Sequence, residues 1–327
     1  MNGEQKVVAY TDLLGFSPLV VRNLGAAQRL LSDFYNMAQR INVNDGFAAL
    51  DLFLFSDFLF VQSDDVTLVV NYVCKLCREA LRYSETSAEP MLCRGGVARG
   101  SVITQRRNEA PNVTKNFIVS PALTHAVKME GLVKGQRMLL AANEREELSH
   151  FWNPQINSIC YDQPSIRPTE LFLKYKYKDL LWARDLSKEH RNAKDETRHL
   201  VEIASNLFQK NYGNRKSVSV HYAETLRICM RSYADLLEQC SEDRGLLSHL
   251  EEVLTTCPDE STWLGFLEMV LLSRDAFAFQ RDEAVLTFLR MALLDLRWGA
   301  VCSALQRQEN SQLLNAVKEL IDVATRT

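Results

Sequence analysis

The 327-residue chain has no surplus of basic residues: 38 Lys and Arg face 41 Asp and Glu, giving a formal net charge of −3 and a pI near 6.1. Nucleic acid and anionic membrane are therefore not expected as partners, because both are held largely through Lys and Arg. No apolar run reaches the roughly 18 residues that a membrane-crossing helix needs. The apolar stretch after residue 6 is stopped at Asp12, too early for the core of a secretory signal, and the expectation is a cytoplasmic protein. Clustered cysteine is absent too. Cys74, Cys77, Cys93, Cys160, Cys229, Cys240, Cys257 and Cys302 are scattered through apolar contexts, as reduced buried thiols are. Cys74-Lys-Leu-Cys77 has the spacing of half a zinc site, but no second pair and no spaced histidines accompany it, so core packing accounts for it. His150, His190, His199, His221 and His249 show no metal spacing and read as surface or satisfied core residues. Asn112-Val-Thr114 spells a glycosylation acceptor, which has no meaning without secretion. No repeat period emerges.

What is present is ordinary globular composition, 46% hydrophobic and 24% charged. The length suits two domains, or one with a large appendage, at about 100–200 residues per domain. Residues 6–12 (KVVAYTD) read as a strand, and Pro18 as a helix start, since its fixed φ suits a first turn. Leu24, Leu30, Leu31, Phe34, Met37, Ala38 and Ile41 recur at helical spacing, so one helix is predicted from Pro18 to about Asn42, broken by Asn44-Asp45-Gly46. FAALDLFLFSDFLFVQS reads as a hairpin hinged at Ser56-Asp57. Asp64-Asp65 is a cap for a second helix beginning at Val66. MLCRGGVARGSVITQ (91–105) reads as two strands around a glycine-rich bend, followed by a strand at 117–119, a helix at 121–130 and a strand at 136–142.

The sum is an α+β fold with a βαββαβ core, the ferredoxin-like split βαβ pattern. This core occupies 1–145; 146–182 is a transition segment packing on it, and 183–327 reads as five to seven amphipathic helices. The helical part is expected to regulate or to dimerise.

In that topology the end of the first strand and the hairpin tip are neighbours, so Asp12 and Asp57 meet at one sheet edge. Two such carboxylates repel unless a cation lies between them or one is protonated. Hard divalent ions take oxygen ligands of this kind, and Mg²⁺ commonly keeps one or two carboxylates plus substrate phosphates. Gly15 allows close approach, and a helix N-terminus at Ser17-Pro18 offers a phosphate cradle.

At this point the chain resembles the class III nucleotide cyclases. YTDLLGF resembles their F-x-D-I-x-G-F segment, FLFSDFL their second metal-aspartate hairpin, and RGGVARGSV (94–102) their R-x-G-I-x-x-G-x-V strand. LTHAVKMEG (123–131) falls where those enzymes carry V-N-x-A-A-R-L-E, and the resemblance spans roughly residues 5–145. It implies conversion of a nucleoside triphosphate to a 3′,5′-cyclic monophosphate and pyrophosphate at the interface of a head-to-tail homodimer. Two Mn²⁺ or Mg²⁺ ions per site are implied, with Asp12, Asp57 and the Leu13 carbonyl as ligands. The N–H groups of Leu14, Gly15 and Phe16 would meet phosphate oxygens.

The departures carry the substrate question. The family's Asn and Arg, one helical turn apart, are Thr124 and Lys128 here, and a lysine lacks arginine's planar fork. Arg99, Arg106 and Arg107 are alternative cations. Purine-specific relatives read the base with a Lys or Glu four residues before the second aspartate and an Asp or Cys seven before the Asn; these are Phe53 and Phe117, which offer stacking faces and no hydrogen bonds. Arg94 remains as a polar reader of a base carbonyl, or else as a fold-supporting arginine. The combination is most similar to the bacterial pyrimidine cyclases of Pycsar antiphage defence, whose product activates a separate effector. Arginine suits the carbonyls of uracil, so UTP stands before CTP. The alternatives are a cytidylate cyclase, an adenylate or guanylate cyclase with atypical base contacts, and a catalytically silent cyclase-like scaffold.

Overall fold

The computed structural model describes residues 3–110, 113–143, 154–162, 172, 174–214, 216–237 and 243–257, with 259, 261, 262, 265, 266 and 269. Asn112, His150, Cys240, Cys302, the helices expected beyond 270 and much of the 146–182 segment lie outside the described residues, as do the side chains of 105–117, Arg106, Arg107 and Phe117 among them. The chain divides into two compact units. One holds the described residues up to Leu180 save Lys134–Gln136; the other holds Lys134–Gln136 and those from Leu181 on.

The first unit is built from β1 (Glu4–Leu13), α1 (Phe16–Arg22), α2 (Leu24–Asn44), β2 (Asp51–Phe55), β3 (Phe58–Ser63), α3 (Val66–Thr86), β4 (Cys93–Ala110), β5 (Val113–Val119), α4 (Pro121–Glu130), β6 (Met138–Asn143), β7 (Cys160–Asp162) and β8 (Tyr175–Leu180). The sheet runs β2-β3-β1-β4-β6-β8-β7, with β5 paired to the far half of β4. β1 lies antiparallel between β3 and β4, while β4 and β6 are parallel. The order β2-β3-β1-β4, with α1–α2 and α3 in the crossovers, is the expected split βαβ arrangement.

Two local expectations are corrected. The single helix from Pro18 is two, because Asn23 leaves helical geometry (φ −155°) and its side chain accepts from Ala26 N at 3.1 Å, capping α2 afresh. The glycine-rich stretch is no bend: β4 is one strand from Cys93 to Ala110. A Cβ at Gly95 would lie 1.8 Å from the Tyr10 carbonyl oxygen and one at Gly96 2.7 Å from Met129, so these glycines let β1 and α4 approach the strand. Asp65 caps α3 as expected, accepting from Thr67 N at 2.8 Å and Leu68 N at 3.2 Å.

Strand alternation sets the faces. Val8, Phe60, Ala98 and Val102 are buried with Ala122, Ala126 and Met129 of α4, and Tyr10 and Phe53 pack at the margin of the same cluster. Asp12 and Arg94, in phase with Tyr10 and Gly96, belong to that face at its end.

The second unit contains α5 (His190–Asn211), α6 (Lys216–Ala234) and α7 (Arg244–Thr256). α5 packs on both others. Asp243 caps α7 through Leu246 N at 3.1 Å while accepting from Tyr233 Oη at 2.8 Å and Arg198 Nε at 2.7 Å.

Candidate active site

β1 is long enough to carry Asp12 to the sheet edge, where it stands opposite Phe58 of β3 and Arg94 of β4. Ser56 and Asp57 form the two-residue link of the β2–β3 hairpin, with Ser56 at φ 48°. Leu13 N donates to the Asp57 carbonyl at 2.9 Å, and Tyr35 Oη donates to the Ser56 carbonyl at 3.0 Å, which fixes the hairpin tip against the end of β1. The Asp12 carboxyl is pushed up to about 7, first by burial and then by the negative charges of Glu130 and Asp57, against the opposing pull of Arg94. Burial, with the charges of Asp12, Glu130 and Asp57, also raises the Tyr10 phenol above its ordinary range.

Such an edge fits a hard divalent cation: its donors are carboxylate oxygens, and acidic charge exceeds basic. Among the described residues no group of three or more His, Cys, Asp or Glu is gathered as a complete cage. Asp12 and Asp57 could supply only part of a donor set, the kind that phosphates and water complete.

Gly15 is left-handed (φ 76°, ψ 10°) at the N-cap of α1, and nothing lies within 4 Å of where its Cβ would be, so open space adjoins the expected cradle. Phe16 opens α1, which has no side-chain cap. The Leu14 N–H donates to the Leu92 carbonyl at 2.9 Å and is taken up by the fold, so of the three expected donors Gly15 and Phe16 carry the cradle reading.

Arg94 is engaged within the fold. It faces Asp12 across the β1–β4 register and is ion-paired with Glu130, the last residue of α4. Phe53 lies further along the same face, half-buried, its ring centroid 5.2 Å from that of Phe60. Phe117 is opposite Gln105 in the β4–β5 pair. Thr124 and Lys128 share one exposed side of α4: the Thr124 hydroxyl donates to the Ser120 carbonyl at 3.1 Å, and Lys128 Nζ lies 5.8 Å from the Phe172 ring centroid. Among the described residues no hydrogen bond or ion pair joins either to Asp12 or Asp57. The structure thus brings together Asp12, Leu13, Asp57 and Arg94, while Thr124 and Lys128 lie on the exposed side of α4.

Sequence reasoning missed Tyr10, Tyr35 and Glu130 at this edge. Tyr10 was visible as the residue two before Asp12 on the same strand face. Glu130 lay inside a quoted motif, but only the packing of α4 on β4 reveals its partner.

No protein-family model and no curated protein matches the chain. Among solved structures it is similar to the guanylyl cyclase Cya2, at 15% identity and TM-score 0.43, over 55% of this chain and 94% of that one. It is also similar to a bacterial light-regulated adenylyl cyclase (12% identity, TM-score 0.41, 60% and 97% of the two chains). An adenylate/guanylate cyclase/hydrolase from Silicibacter pomeroyi matches at 13% identity and TM-score 0.37, over 55% and 98%.

Proposed function

We propose that the chain is a metal-dependent nucleotide cyclase that turns a pyrimidine nucleoside triphosphate into its 3′,5′-cyclic monophosphate and pyrophosphate. The reading extends to a head-to-tail homodimer whose product acts on a separate effector in antiphage defence. The observation that carries it is the meeting of Asp12 and Asp57 at the end of β1. In the reaction the ribose 3′-oxygen forms a bond to the α-phosphorus, the bond to the β-phosphate oxygen breaks, and the 3′-OH proton leaves. Mg²⁺ or Mn²⁺ held by Asp12, Asp57 and the Leu13 carbonyl would supply charge neutralisation for the triphosphate and acidify the 3′-OH. Gly15 and Phe16 bind phosphate oxygens through N–H groups at the start of α1. Phe53 offers a ring face and no base-edge hydrogen bond, as does the residue type at Phe117, which favours a base held by stacking. Lys128 brings positive charge and Thr124 a hydroxyl from α4. The case for UTP over CTP rested on Arg94; with that guanidinium on Glu130, the proposal covers both.

A catalytically silent scaffold is the second reading, favoured by the Thr124 hydroxyl being turned to its own helix. Incubation with each of four NTPs and Mn²⁺, with cyclic products identified by mass, separates the two. UTP or CTP is expected to cyclise, and Asp57→Ala to abolish turnover. A folded protein that cyclises no NTP points to the scaffold, and ATP turnover alone would overturn the argument from Phe53 and Phe117.

A further inference from the structure

Arg94 is a hazard to a cation site. It stands directly across from Asp12, and a guanidinium pairs with a carboxylate strongly, often through two parallel bonds. Left to itself it would take the oxygens that a divalent ion needs. Its side chain is only 20% exposed, so it has little route to solvent. What engages it is Glu130: Arg94 Nε meets Glu130 Oε1, and the glutamate is itself only 17% exposed. Neither atom has a hydrogen-bonding partner among the described residues, so the contact between them is one of charge. Glu130 ends α4, and Gly96 lets that helix lie close on β4, since a Cβ there would strike Met129 and the Ala126 carbonyl. The carboxylate is thus delivered to Arg94 by a helix packed tightly on the strand that carries the arginine.

We propose that Glu130 is a positioning residue that holds Arg94 off Asp12, so that Asp12 and Asp57 keep their oxygens for a divalent cation. The inference rests on the reading of those aspartates as cation ligands. It differs from a plain field effect, in which Glu130 attracts the cation merely by its charge. A field effect acts whether or not Arg94 is present; a positioning effect vanishes with it.

The experiment is a double-mutant cycle on the full chain, reading Mn²⁺ affinity by calorimetry and by the paramagnetic resonance of free Mn²⁺, with no nucleotide and no turnover. Glu130→Gln is expected to weaken Mn²⁺ binding roughly tenfold or more, the range seen when residues behind metal ligands are changed. Arg94→Gln alone should bind at least as tightly as the unmodified protein. Adding Glu130→Gln to Arg94→Gln should then change affinity by less than about twofold, a large non-additivity. Equal losses from Glu130→Gln in both backgrounds overturn the proposal in favour of the field effect. If the unmodified protein binds no Mn²⁺, or Asp12→Asn binds it equally well, the cation reading itself fails and the positioning role with it. Should Glu130→Gln alone not fold by thermal melting, comparison of Arg94→Gln with the double variant still decides: a loss of about tenfold there overturns the positioning role.

Discussion

His125 follows Thr124 in sequence but points the other way from α4, into the sheet unit. It is 2% exposed, stacked on Phe172 with centroids 3.8 Å apart and planes 2° apart, and its Nε2 lies 3.0 Å from Tyr177 Oη. Tyr175 meets it edge-on at 4.5 Å. Burial, with the positive charge of Lys128 nearby, pulls the imidazole down to about 4 from an ordinary 6.5. Between those values the unfolded chain binds a proton that the folded chain refuses, so stability falls as pH drops through that window and is intact above it. Urea midpoints at pH 7, 5.5 and 4.5 should therefore decline more steeply for the unmodified protein than for His125→Gln, which can still meet Tyr177 but does not titrate. Parallel declines would show that other groups carry the acid sensitivity. The positions of Asp12 at a strand end and Asp57 at a hairpin tip, by contrast, were legible from local signals, and the split βαβ order made them neighbours. Arg94 stayed open between base reader and fold-supporting arginine, because its partner lies 36 residues on (130 − 94), at the end of a helix whose packing no local pattern reports.

At the level of elements, periodicity located the helices and strands from β1 to β6 but not β7 and β8, which fall in the 146–182 segment; α2 and α3 were clearest, since each buries a stripe of apolar residues at helical spacing. It failed where one residue had two structural uses. Asn23 could continue a helix or cap one, and capping won. Glycines in β4 signal a bend locally, yet here they answer a crowding that comes from β1 and α4. That difference is testable. In a bend, Gly96→Ala would be tolerated at any allowed φ; in a packed strand its methyl must enter space 2.7 Å from Met129 Cβ and Cε and 2.9 Å from the Ala126 carbonyl. A loss of about 1–3 kcal/mol is expected from such overpacking. Urea denaturation measures it, and Met129→Ala should recover part of the loss by opening room for the methyl. A Gly96→Ala protein as stable as the parent would show that α4 can shift freely on β4.

The chain as a whole passes between its two compact units more than once. After α4 it contributes Lys134–Gln136 to the helical unit, then returns as β6. Those three residues are held closely: Gly135 N donates to His221 Nδ1 at 2.9 Å, Gln136 N to Thr225 Oγ1 at 2.8 Å, and the Gln136 carbonyl accepts from Trp182 Nε1 at 2.8 Å, with Trp182 fully buried. No sequence signal announced this, because the segment reads locally as a polar link between a helix and a strand. Gly135 is the sensitive point. It sits at φ 73°, and a Cβ there would lie 2.7 Å from the His221 carbonyl and 2.8 Å from Glu224 Cβ and Thr225 N. Gly135→Ala combines left-handed strain with overpacking against α6, and each is worth roughly 1–3 kcal/mol. Hydrogen exchange read by mass spectrometry should show faster exchange in α5 and α6, while amides of β1, β3 and β4 keep their protection, because the substituted residue belongs to the helical unit although its neighbours in sequence belong to the sheet. Equal loss of protection in β1 and β3 would mean that the two units open together and that the division by packing has no counterpart in stability.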